Sequence, residues 1–171
     1  MNLEERYENA KKTGLLNVAD MDLESLPPLP ENITRLFCDH NRLKYLPKLP
    51  PNLKNLNCIH NELEELPEIP ETLEFLDCSF NAIEELPTLP SNLTYLVCSN
   101  NPLRHLEKLP TNLMVLVTEK TLLSVIPEIP QALVQLRCRN NPWSNDFKAF
   151  IERENCDAIQ SVCKYYAQRA K

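Results

Sequence analysis

A chain of 171 residues with 43% apolar and 25% charged residues can bury the core of one domain, and its formal net charge of −6 comes with no basic block of the kind that neutralises phosphate in nucleic-acid binding. Glycine occurs once, at Gly14, against 15 prolines. A Walker loop or a dinucleotide-binding turn needs several glycines for close backbone approach to phosphate, so both are excluded. The opening Met1-Asn2-Leu3-Glu4-Glu5-Arg6 is charged where a secretion signal would be apolar, and no apolar run approaches the ~20 residues of a membrane helix. A cytoplasmic protein that engages neither membrane nor nucleic acid is expected.

In chain order, residues 2–12 predict a short helix with Leu3, Tyr7 and Ala10 on one face and Gly14 just past its end. Residues 1–14 are read as an N-terminal helical cap. From 15 to 143 the sequence repeats every 20 residues. One column runs Ile33, Leu53, Leu73, Leu93, Leu113, Leu133, and another Leu36, Leu56, Leu76, Leu96, Leu116, Leu136. Two more are Cys38, Cys58, Cys78, Cys98, Thr118, Cys138 and Asn41, Asn61, Asn81, Asn101, Thr121, Asn141. Pro50, Pro70, Pro90, Pro110 and Pro130 close successive units, and a degenerate unit with Leu16, Val18, Leu23, Leu26 and Pro30 precedes the regular ones.

Alternation in Arg35-Leu36-Phe37-Cys38 turns Leu36 and Cys38 inward and their neighbours outward. Each unit thus supplies one short strand to a parallel sheet, with six strands expected from the regular units. The asparagines are placed to satisfy backbone groups where the chain leaves the strand. The prolines impose an extended, polyproline-like return with no room for a full α-helix. One unit cannot offset its own conformational entropy, so the units must stack. Residues 144–171 are read as a C-terminal helical cap, with Phe147, Phe150 and Ile151 on one helix and Ile159, Val162, Cys163 and Tyr166 on a second.

The pattern LxxLxCxxNxLxxLPxLPxx, with Leu46-Pro47-Lys48-Leu49-Pro50, Leu66-Pro67-Glu68-Ile69-Pro70 and Leu86-Pro87-Thr88-Leu89-Pro90, resembles the short leucine-rich repeats of bacterial effectors of the YopM and IpaH type. Similar arrays occur in large DNA viruses. The resemblance implies an α/β fold class: a leucine-rich-repeat solenoid with a curved parallel sheet, extended return arms and helical caps at both ends. It also implies a pathogen or viral effector in the host-cell cytoplasm. The IpaH-type ubiquitin ligase domain has no counterpart here, since only 15 residues follow Cys156.

Five cysteines in one repeat column read as small apolar core residues rather than ligands or disulfide partners. No metal and no cofactor is expected. The variable positions on the concave face of the sheet are the candidate protein-binding site: Arg35, Phe37, His40, Asn55, Asn57, His60, Phe75, Asp77, Tyr95, Val97, Val115, Val117, Gln135 and Arg137. Aromatic side chains among polar neighbours are a typical anchor composition for protein interfaces. His40 and His60 share one column, read as a solvated polar rim. A second patch on the return side, from Glu62 to Glu85, is strongly acidic. The unit carrying Glu107, Thr118 and Thr121 breaks the pattern. The reading is a non-catalytic module, monomeric or homodimeric, that binds a protein partner. The alternatives are a structural, homo-oligomerising subunit and a thiol-dependent enzyme centred on Cys156.

Overall fold

The computed structural model describes residues 1–143; the expected C-terminal cap over 144–171, and Cys156 within it, lie outside the described residues. The chain opens with helix α1, Leu3–Thr13. Asn2 caps it reciprocally: its Oδ1 accepts from the Glu5 amide at 2.9 Å, and its own amide donates to Glu5 Oε2 at 3.0 Å. Gly14 ends it at φ 70°, donating to the Ala10 carbonyl at 2.8 Å. Ala10 is fully buried, and Leu3 and Tyr7 pack against the core. The Tyr7 hydroxyl donates to the Pro27 carbonyl at 3.0 Å, and burial pushes its pKa up to about 12. The Gly14 carbonyl accepts from the Thr34 amide at 2.8 Å, which ties the helix end to the following repeat. Gly14→Ala leaves ordinary space for a Cβ but forces it into the left-handed region. A loss of about 1–2 kcal/mol in urea unfolding is expected.

Seven strands follow: β1 (Leu15–Asn17), β2 (Arg35–Phe37), β3 (Asn55–Asn57), β4 (Phe75–Asp77), β5 (Tyr95–Val97), β6 (Val115–Val117) and β7 (Gln135–Arg137). They pair in parallel and in chain order, each residue opposite the one a full repeat later, as Leu36 is opposite Leu56. The central leucines of β1 to β6 are fully buried and Leu136 nearly so. The degenerate first unit therefore contributes a complete strand, one more than the six the regular units imply.

The asparagine column stitches adjacent units. Asn61 Nδ2 donates to the carbonyls of Cys38 (3.0 Å), Cys58 (3.1 Å) and Ile59 (3.2 Å), while its Oδ1 accepts from the Leu43 amide at 3.0 Å. Asn41, Asn81 and Asn101 repeat the arrangement. In the irregular unit Thr121 keeps only part of it: its amide and hydroxyl both donate to Asn141 Oδ1, at 2.7 and 2.8 Å. The sheet continues through this unit in unbroken register.

Just before each asparagine position the backbone turns left-handed without glycine, at Asp20, His40, His60, Phe80, Asn100, Lys120 and Asn140, with φ between 52° and 59°. This region costs a residue with a Cβ about 1–2 kcal/mol, least for Asn and Asp. Lys120→Gly is therefore expected to raise stability by about 0.5–1 kcal/mol in chemical unfolding, once glycine's larger unfolded-state entropy is subtracted.

The return arms contain neither helix nor strand. Their prolines lack the amides that a helix would need. Each arm ends in a turn in which a proline carbonyl accepts from the residue three on, as Pro50 does from Leu53 at 3.1 Å. The α/β class, with helices alternating with strands, is therefore corrected. Among the described residues the chain is a parallel β-sheet solenoid with one short helix, and no helix alternates with its strands.

Candidate functional site

The first and third residues of β2 to β7 turn away from the leucine core and form two rows on the open face of the sheet. One row runs Arg35, Asn55, Phe75, Tyr95, Val115, Gln135; the other runs Phe37, Asn57, Asp77, Val97, Val117, Arg137. Arg35 and Arg137 are exposed and the other ten are half-buried, shielded by their neighbours a rung away. The candidate strand residues thus share one surface.

Phe75 and Tyr95 stack with ring centroids 4.8 Å apart and planes 16° apart, the spacing imposed by the sheet itself. Beside them the Asp77 carboxylate accepts from the Ser79 amide at 3.1 Å. Burial raises its pKa, the bond from Ser79 opposing. Asn57 makes the same local turn toward Ile59, at 3.2 Å.

His40 and His60 do not stand in the strand rows. They occupy the left-handed turn after each strand and form a second stack: His40 to His60 at 4.8 Å, and His60 to Phe80 at 4.1 Å. His40 Nδ1 also lies 3.1 Å from Asp39 Oδ2. Asp20, Asp39 and His40 each bring one potential ligand atom within 4.8 Å of the others, two of the three residues being exposed; no ion site is assigned to them. Phe80 shares the histidine column and belongs with the variable positions read from the sequence as the concave face. Met114 and Val134, which precede β6 and β7 and stand 47% and 67% exposed, are absent from the candidate set. Their apolar character one repeat apart was the available signal.

The thiols of Cys38, Cys58, Cys78 and Cys98 are free and buried, and Cys138 is buried with them. Burial pushes Cys38 and Cys98 up to about 12, the Asp39 carboxylate adding at Cys38 and a bond from Thr118 opposing at Cys98, and it raises Cys58 and Cys78 well above the usual thiol range. Such thiols are poor nucleophiles. The folded state holds their protons more tightly than the unfolded state, whose thiols titrate near pH 8.5. Their contribution to stability is thus complete below that pH and falls as pH rises toward 12. Urea midpoints measured from pH 7 to 10.5 should fall above about pH 8.5, and a Cys38→Ala/Cys98→Ala variant should show a shallower fall.

No family model matches the chain, and no curated protein matches it. Solved structures do. YopM from Yersinia enterocolitica WA-314 is 39% identical with a TM-score of 0.70, over 70% of this chain and 27% of that one. A Shigella effector LRR domain is 28% identical with a TM-score of 0.75, over 92% of this chain and 83% of that domain. The chain is homologous to bacterial effectors of the YopM and IpaH type. YopM from Yersinia pestis, a leucine-rich effector protein, is 25% identical with a TM-score of 0.57, over 81% of this chain and 53% of that one. The chain spans only 27% of the Yersinia enterocolitica YopM chain. The homology is to non-catalytic effector repeat domains, and no catalytic motif is evident among the described residues. No helix among those residues is long and apolar enough to cross a membrane.

Proposed function

We propose that this chain is an effector-type scaffold that captures a host protein on the open face of its sheet, with residues 15–143 as the binding unit. The observation that carries the reading is the stacked Phe75–Tyr95 pair, half-buried beside the Asp77 carboxylate and flanked by Val97, Val115 and Val117. Aromatic anchors with an apolar flank and a few fixed polar groups are the composition of energetic centres in protein interfaces. The sheet holds them in place before binding, so a partner meets little ordering cost. Arg35, Phe37, Asn55, Asn57, Gln135 and Arg137 extend the same surface to its rims, and His40 and His60 border it. Homology to YopM, a leucine-rich effector protein, supports a role inside a host cell.

Phe75→Ala together with Tyr95→Ala is expected to weaken capture of that partner at least about 100-fold, since two anchors at about 2 kcal/mol each remove about 4 kcal/mol and each 1.4 kcal/mol is about tenfold in affinity. Affinity capture from host lysate, followed by titration of the captured protein, reads the loss. Unchanged capture by a variant of normal thermal stability overturns the assignment.

A further inference from the structure

On the side opposite the strands, the return arms of three successive units enclose a groove of about 990 Å³, a size at the upper end of ligand-binding clefts. Leu49 and Ile69, almost fully buried, lie at its base, and Pro47 and Pro67 give it apolar walls. Its charged lining is Glu31, Glu68 and Glu71 against the single cation Lys48. Outside the groove some acidic residues are paired a rung away, Glu74 with Lys54 at 2.9 Å and Glu84 with Arg104 at 3.4 Å. Glu31 and Glu68, with their exposed neighbours Glu64 and Glu65, enter none of the ion pairs among the described residues.

We infer that this groove is a second docking surface, independent of the open face, for an extended basic peptide segment whose alternate side chains are apolar. In an extended chain successive side chains point to opposite sides, so apolar residues can enter the groove together while the intervening ones stay at its rim. The proline walls and the leucine and isoleucine base offer apolar contact with little conformational freedom to lose. The unpaired carboxylates at the rim attract Arg or Lys and repel an acidic chain. The prolines pre-set the arms, and the carboxylates then select the charge of the occupant.

The probe is acetyl-Arg-Leu-Arg-Leu-Arg-amide, titrated into the isotopically labelled full chain and followed by NMR, with acetyl-Glu-Leu-Glu-Leu-Glu-amide as counterpart. The expected result is saturable shifts at the Leu49 and Ile69 methyls with the basic peptide alone. Glu31→Lys/Glu68→Lys should raise its Kd about tenfold or more, because two rim charges change sign at exposed positions with no bond to lose. Phe75→Ala/Tyr95→Ala should leave that Kd unchanged, so failure of the open-face reading would not affect this one. Absence of saturation at those methyls, equal binding of the acidic peptide, an unchanged Kd in the charge-reversal variant, or shifts confined to the strands would overturn it.

Discussion

Asn101→Ala is expected to destabilise the fold by about 3–5 kcal/mol in urea unfolding, more than any surface substitution on the sheet. Asn101 is 4% exposed and works in four directions. Its Nδ2 donates to the carbonyls of Cys78 (3.0 Å), Cys98 (3.1 Å) and Ser99 (3.3 Å), and its Oδ1 accepts from the Ile83 amide at 3.0 Å. Alanine leaves these backbone groups short of partners in a place that water does not reach, at about 1–3 kcal/mol for each group truly stranded. Aspartate fills the same volume but cannot donate, so Asn101→Asp should be at least as damaging and should worsen as pH rises and the carboxyl ionises against three carbonyls. A loss below about 1 kcal/mol for both variants would mean that the asparagine column is ornamental and that strand pairing alone joins the units.

Leu76→Ala is the second. Leu76 is the fully buried centre of β4, with Leu56 and Leu96 opposite it on the two adjoining strands. Removing three carbons there costs the lost transfer energy plus the cavity left behind, about 2–5 kcal/mol. The solenoid contacts only nearest neighbours, so damage in the middle uncouples two halves. A broadened or two-step urea transition is expected, where the same change at Leu136 near the end should shift one transition. Equal, single transitions for both variants would contradict a stack whose cohesion passes from unit to unit.

Most of this architecture is legible because its signal is periodic. Leu36, Cys38 and Asn41 recur often enough that alternation alone separates core from surface, and the open-face rows follow by subtraction. The degenerate first unit hid a strand because Leu15-Leu16-Asn17 has lost the cysteine and asparagine that mark its successors, although Leu16 still reaches the core. The left-handed turns were illegible for a chemical reason. Glycine is the usual signpost of positive φ, and here the residue before each asparagine position adopts it with a side chain because the ladder of backbone bonds on either side holds it there, as between His40 and Ile59 at 2.9 Å. That constraint lifts His40 and His60 out of the strand rows and into the column they share with Phe80, where the His60 ring stacks between the other two. The α/β expectation failed in its class label, which implies helices alternating with strands, whereas the return arms, read from their prolines as too short for a full α-helix, carry none.

Capture on the open face requires the strands to present Phe75, Tyr95 and their row to a partner while the arms turn away. A photo-crosslinking residue placed at Tyr95, and in a separate variant at Lys44 beyond the asparagine turn, tests this most directly in host lysate. A discrete protein adduct is expected from position 95, suppressed by excess unmodified chain and unaffected by excess Phe75→Ala/Tyr95→Ala chain. Adducts that form from position 44 and not from 95, or that both competitors suppress equally, would contradict it.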